Sequence, residues 1–264
     1  MQAIKSSNWY LILCLGVISV VITGLQYDQY NLMVATDMMN AITVVPFAAL
    51  AVALAIKNRN IGSLGKAWVF FAVFAVSWSV GEIIWALDEL VYKNAPFPSS
   101  ADFFWMIGFP AYFLFAIMYL GPFRDSISKK TILISASVCA PLMGFLVYYA
   151  ITKSTFPLFK TILLAAYPIG DVLCLAPTII GLVLFFRGQV SFTWLLLLVG
   201  MLCFVVADSG YQILSQSNQY YTGHPVDIAY LWAYVFFVFG AYHHAKIFKG
   251  RNQENRFNSQ ESMR

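Results

Sequence analysis

The sequence predicts an all-α fold, a polytopic transmembrane bundle of about eight helices, from its composition, its long apolar stretches and the one-sided distribution of its charge. Of 264 residues, 60% are hydrophobic and only 11% charged, with a mean hydropathy of +0.72. A soluble domain carries roughly 25% charged residues. A helix crosses the hydrocarbon core with about 20 mostly apolar residues, and eight stretches qualify: 9–25, 38–57, 67–88, 101–121, 131–152, 161–186, 191–214 and 226–247. What they leave over is too short for a soluble catalytic domain. Residues 1–248 are therefore the expected transmembrane domain, and the polar segment 249–264 an expected disordered cytoplasmic tail.

The first stretch has Lys5 ahead of an apolar run from Trp9 to Leu25, as in a secretory signal, but no small-x-small cleavage site follows it. It reads as a retained first helix. Passing the eight stretches alternately through the membrane places Lys5, Lys57, Arg59, Lys66, Arg124, Lys129, Lys130, Arg187, Lys246, Lys249, Arg251, Arg256 and Arg264 on one side. Only Lys93, Lys153 and Lys160 fall opposite. The positive-inside rule then predicts a protein of the cytoplasmic (plasma) membrane with both termini cytoplasmic. The net charge of +4 serves topology and contact with anionic membrane lipid, and nucleic acid is not an expected partner. Cys14, Cys139, Cys174 and Cys203 all lie inside apolar stretches without metal-ligand spacing, and read as small core residues.

The acids gather opposite the bases. Asp28, Asp37, Glu82, Asp88, Glu89, Asp102, Asp171, Asp208 and Asp227 all map to the outer half. Asp28, Asp37, Asp88 and Glu89 read as solvated loop or helix-end residues. Asp102, Asp171 and Asp227 each open an apolar stretch just after a proline, where an aspartate caps free N–H groups and suits the helix dipole. Glu82 and Asp208 lie within apolar runs, about 22–26 Å from the cytoplasmic end at about 1.5 Å per residue. A charge in hydrocarbon costs at least about 2.5–3.5 kcal/mol, so each must face the bundle interior, for function or for an interhelical hydrogen bond.

Those acids recur in a pattern. Glu82-Ile-Ile-Trp85 aligns with Asp208-Ser-Gly-Tyr211, and Asp102-Phe-Phe-Trp105 with Asp227-Ile-Ala-Tyr230. Glu82 to Asp102 is 20 positions and Asp208 to Asp227 is 19. Acid-x-x-aromatic also occurs at Glu89/Tyr92 and Glu254/Phe257. Four helices separate the matching hairpins, which predicts two tandem four-helix repeats, about 9–121 and 131–247, with Asp37 and Asp171 as weaker equivalents. Residues three apart share a helix face, so the expected ligand-binding set is Glu82, Trp85, Asp102, Trp105, Asp171, Asp208, Tyr211, Asp227 and Tyr230, extended by Trp78 and Tyr234. Carboxylates beside aromatic rings suit a small cationic or amphiphilic ligand. The competing reading of the aromatics is an interfacial belt, to which Tyr220 and Tyr221 are assigned.

Other chemistries lack their residues. There is no nucleotide-binding glycine pattern and no H-E-x-x-H or H-x-x-x-H pair, so no metal and no cofactor is expected. His243 and His244 fall at the cytoplasmic end of the last helix and His224 in the last outer loop, which leaves a serine–histidine nucleophile without a location. The last helix has no buried lysine for a retinal Schiff base, since Lys246 lies at its inner edge.

The stretch Pro96-Phe-Pro98-Ser-Ser-Ala-Asp102-Phe-Phe-Trp105-Met-Ile-Gly-Phe-Pro110 resembles a signature of multi-helix membrane input domains in prokaryotic signalling proteins. Tyr167-Pro168-Ile-Gly-Asp171, Ala207-Asp208-Ser-Gly-Tyr211 and Asp227-Ile-Ala-Tyr230-Leu-Trp232 extend the similarity. Such domains stand N-terminal to diguanylate-cyclase (GGDEF-type), phosphodiesterase or histidine-kinase modules. The resemblance implies a sensor domain in signal transduction; without an output module in this sequence, it further implies a separate signalling partner or a homo-oligomer. An enzyme is the less favoured expectation. Gly81-Glu82 and Ala207-Asp208 also resemble the paired intramembrane acids of the lysoplasmalogenase family, which implies Glu82 and Asp208 as catalytic carboxylates. A transporter, with breaks at Pro141 and Pro177, or an accessory subunit of a membrane complex completes the alternatives.

Overall fold

A computed structural model describes the backbone of residues 2–261 and the side chains of 9–247. Eight α-helices and no strand are present among them: α1 (Gln2–Gly24), α2 (Gln29–Asn58), α3 (Gly62–Leu90), α4 (Ser100–Leu120), α5 (Lys129–Lys153), α6 (Leu158–Leu184), α7 (Ser191–Gln216) and α8 (Asp227–Glu261), with a 3₁₀ turn at Gly121–Ser126. By length and composition, α2 to α7 are six helices able to cross a membrane. These mark an all-α, multi-pass membrane protein. Helix α8 runs on to Glu261 through most of the segment expected as a tail. Side chains from 248 onward, and residues 262–264, lie outside the described residues.

Local chemistry sets the helix ends. Helix α2 begins at Gln29 rather than near residue 38, because Asp28 caps it: its carboxylate accepts the Asn31 backbone N–H at 3.2 Å and the Asn31 side-chain amide at 2.5 Å. The polar first turns of α2 hide this extension from hydropathy. Helix α4 starts with a reciprocal capping box, in which the Ser99 hydroxyl serves the first turn and Asp102 accepts the Ser99 N–H at 2.5 Å. The breaks expected at Pro141 and Pro177 do not occur; α5 and α6 run through them. Near Pro177 the neighbouring helix is tied on by Ser135 of α5, which donates to the Ala176 carbonyl at 2.9 Å.

Six helices close a ring in the order α2, α3, α4, α6, α7, α8 and back to α2. Helix α1 packs outside it on α8 and α2, and α5 outside it on α6. These two carry much of the exposed apolar surface, including Ile12, Val20, Leu133, Phe145 and Ile151. Water would not tolerate so large an apolar face, and lipid does. In lipid, helices associate through close packing rather than through expulsion of water, so small residues matter at crossings. At Gly108 of α4 a Cβ would fall 2.0 Å from Nε1 of Trp78 in α3. Only glycine lets that indole lie against the backbone.

The ring has two unlike ends. Loops 25–28, 91–99, 154–157 and 217–226 share the first, where the Gln26 amide donates to the Gly223 carbonyl at 2.9 Å and Thr222 donates to Glu89 at 2.8 Å. Away from that end the interior is filled by aromatics: Phe47, Trp68, Phe71, Phe74, Tyr112, Phe115, Trp194 and Phe237 are all buried. Phe47 stacks on Phe237 at 5.5 Å, and Trp78 on Phe204 at 4.4 Å. The second stack closes the interior beneath a polar cavity.

All four cysteines are free. Cys139 and Cys174 are buried as expected of core residues, whereas Cys14 is exposed on α1.

Candidate binding site

Above the Trp78–Phe204 stack lies a cavity of about 70 Å³ to which every ring helix contributes. Two water molecules at about 30 Å³ each would nearly fill it. Thr36, Asp37 and Asn40 come from α2, Trp78, Glu82 and Trp85 from α3, Asp102 and Trp105 from α4, and Tyr167 from α6. Asp208 and Tyr211 come from α7 and Asp227 and Tyr230 from α8, while the loop residues Phe97, Tyr220 and Thr222 complete the wall.

Most of the acids are held by donors from other elements. Tyr234 of α8 donates to Glu82 at 2.6 Å, and Tyr230, one turn earlier, donates to Asp208. Tyr167 donates to Asp102. Asp227 accepts the Gly223 N–H at 2.7 Å and the Tyr220 hydroxyl at 3.2 Å. Glu89, just outside the lining, accepts from the Trp85 indole at 3.0 Å as well as from Thr222. Against Gly81 the Trp105 indole packs edge-on beside Glu82, where a Cβ would fall 2.5 Å from its Nε1. Trp85 and Trp105 lie 6.0 Å apart.

Other acceptors meet no donor. Both carboxylate oxygens of Asp37, Oδ1 of Asn40 and Oδ2 of Asp208 are buried without a hydrogen-bond partner. Asp171 is fully buried and meets no hydroxyl or N–H donor; it faces the Asp208 carboxyl, with which it can share a proton. Asp37 stands in the same relation to Glu89. Among the described residues no Lys, Arg or His lines the cavity. Two lysines outside the lining sit on rings at this end, Lys160 over Phe97 at 5.1 Å and Lys93 over Tyr30 at 5.5 Å. Among the described residues no three acidic, His or Cys side chains come together as metal ligands.

Two loop groups at the rim have shifted acidity. Burial, with Asp227 alongside, pushes the Tyr220 phenol well above its usual value and keeps it a donor. Burial holds the His224 imidazole below its usual value, and its Nδ1 accepts the Val226 N–H at 3.2 Å.

Of the nine residues expected to bind ligand, Glu82, Trp85, Asp102, Trp105, Asp208, Tyr211, Asp227 and Tyr230 line the one cavity. Asp171 does not. It also does not open a helix, because α6 starts at Leu158 and carries Pro168 inside it. Asp37 and Glu89, expected to be solvated, are 1% and 9% exposed, since the extension of α2 and the last turn of α3 bring both into the ring. Tyr220 belongs to the cavity rather than to an interfacial belt. The acid-x-x-aromatic units do not bond internally: Tyr230 reaches across to Asp208, and Trp85 reaches forward to Glu89. Thr36, Asn40, Phe97, Tyr167 and Thr222 were missed. Of these only Asn40, a lone amide in an apolar stretch, Phe97, inside the Pro96–Pro110 motif, and Tyr167, inside the Tyr167-Pro168 motif, left any trace in the sequence.

Fold and cavity together define a class, a multi-pass membrane protein with an acidic, aromatic pocket enclosed at one end of a helical ring. No protein-family model, curated protein or solved structure matches the chain.

Proposed function

We propose that this is an integral membrane ligand-binding protein whose cavity takes a small organic cation from the outer side and passes the binding event to a separate partner as a signal. One observation carries the reading: five carboxyl side chains and eight aromatic side chains, from the helical ring and the loops at its acidic end, line one cavity that no base among the described residues enters. Buried carboxylates without a counter-charge are costly, and a cation bound among them offsets that cost. Aromatic rings add cation–π attraction. The closed aromatic interior beneath the cavity favours a receptor over a conduit. The sensory role rests on the resemblance of the Pro96–Pro110 stretch to signalling input domains.

The orientation follows the basic residues, with all eight helices spanning the plasma membrane and both termini cytoplasmic. Tandem duplication is supported by the ring itself. Exchanging α1–α4 with α5–α8 maps each ring contact onto another, whereas the outer helices differ, α1 leaning chiefly on α8 and α5 on α6. It also maps Asp102 onto Asp227, each of which accepts a backbone N–H from just before its helix and a tyrosine hydroxyl.

The test is a panel of ammonium compounds screened by thermal shift on purified protein. A compound should raise the unfolding temperature of wild type and lose that effect in Glu82→Gln and Asp208→Asn; equal responses in all three would remove this cavity as the site.

A second reading treats Glu82 and Asp208 as the working pair of a lipid hydrolase similar to lysoplasmalogenase. It is favoured by their shared cavity and by the α8 tyrosine that orients each. One carboxyl would protonate the vinyl-ether carbon and the other would activate water. Release of aldehyde from a lysoplasmalogen, abolished in either variant, is its test.

A further inference from the structure

We infer that the cation this cavity selects is a protonated primary amine recognised by its N–H donors, not a quaternary ammonium recognised by aromatic faces alone. The inference deepens the ligand-binding reading and rests on it. Its ground is the set of acceptors left over once the protein's own donors are assigned. Asp37 lines the cavity at 1% exposure with neither carboxylate oxygen paired, and Asn40 Oδ1 is unpaired one turn further along the same wall. On α7, Asp208 at 2% exposure has spent one oxygen on Tyr230 and keeps Oδ2 unpaired. A carboxylate accepts and never donates, and so does an amide oxygen. The neighbouring carboxyls, Glu89 beside Asp37 and Asp171 beside Asp208, can share at most one proton within each pair, so what completes the remaining acceptor sites must bring further donors.

Some of the aromatic groups, in contrast, already have partners. Trp78 is stacked on Phe204 at 4.4 Å, and Tyr211 meets Tyr220 edge to face at 4.6 Å. The tyrosine hydroxyls of residues 230 and 234 are committed to carboxyls. A quaternary group has only methyl groups to offer and leaves the unpaired acceptors unmet, whatever ring faces it reaches. Size agrees. About 70 Å³ admits an –NH₃⁺ head with a short carbon chain, and the three N–H bonds of that head match acceptors on two walls.

The experiment compares methylammonium, ethylammonium and tetramethylammonium as chloride salts, with sodium chloride as the ionic-strength control, on the full chain in detergent. Binding is read by calorimetry and by thermal shift. The expected result is saturable binding of the primary amines at least tenfold tighter than tetramethylammonium, the order set by roughly one charge-assisted hydrogen bond. Asp37→Asn should weaken the primary amines by about the same factor while Asp125→Asn, at the far end, leaves them unchanged. If Asp37→Asn does not fold, Asn40→Ala removes the neighbouring acceptor and should lower the primary-amine affinity alone. Equal or tighter binding of tetramethylammonium would overturn the donor argument and leave a cation site standing. Binding of none of the three would overturn both.

Discussion

The hydroxyl of Tyr234 in α8 donates to Glu82 in α3 across 2.6 Å, joining two helices that are not neighbours in the ring through a pair 152 positions apart in sequence. Both residues are buried, Tyr234 completely and Glu82 to 8% exposure. The bond spans the ring interior, directly above the aromatic packing. It satisfies a carboxyl that would otherwise stand alone in a medium without water.

Tyr234→Phe should therefore cost about 1–2 kcal/mol of stability, the usual worth of an interhelical hydrogen bond to a charged or polar partner in a membrane protein. Unfolding in a detergent titration measures it. A double-mutant cycle with Glu82→Met, which removes the acceptor, should show a coupling of about 0.5–1.5 kcal/mol, because the two side chains share one bond. Strict additivity would mean that they do not meet.

Gly108→Ala should destabilise by about 1–3 kcal/mol, since the added Cβ would sit 2.0 Å from the Trp78 indole and push it off Phe204. A shift in tryptophan emission is expected with it. Gly144 in α5, around which nothing lies within 4 Å, is the control. Gly144→Ala should be neutral or stabilising by up to about 1 kcal/mol through helix propensity.

Asp102→Ala should cost more than Asp28→Ala although both aspartates serve helix starts. Asp28 is an exposed cap, with an expected loss of about 1 kcal/mol. Asp102 caps α4 and also accepts from Tyr167 across to α6, so its loss adds an orphaned buried hydroxyl worth about 1–3 kcal/mol. Thermal unfolding of the two variants in parallel gives the order.

For His224 the sign of the pH dependence follows from its environment. Burial lowers its folded value below that of the unfolded chain, about 6.5. The folded state thus binds fewer protons than the unfolded state, and the contribution is whole above about pH 6.5 and declines as pH falls through and below it. The Val226 N–H to Nδ1 bond needs the neutral ring. Proton NMR of the imidazole should titrate below 6.5, and His224→Gln should flatten the corresponding part of the stability profile.

Glu82 and Asp208 were legible as buried because each interrupts an apolar run, and an isolated acid in such a run has nowhere to go but inward. The same logic failed for Asp37 and Glu89. Both lie at the edges of apolar stretches, where hydropathy cannot tell a solvated carboxyl from one turned into a cavity. Asp171 was legible as an acid near a proline but not as a mid-helix residue, since a proline can stand inside a membrane helix when its neighbours satisfy the backbone.

The amino-acid order alone determined the all-α membrane class, approximate helix positions and the two matching acid and aromatic hairpins, because those follow from hydropathy, length and spacing along one chain. Only the tertiary structure decided that α1 and α5 stand outside a six-helix ring and that Tyr230 serves Asp208 rather than its own neighbour Asp227. It likewise decided that Asp37, Asn40 and Asp208 keep unpaired acceptors in the cavity. The physical reason is that a donor is assigned to an acceptor by proximity across helices, and periodicity within a helix states only which face a residue occupies.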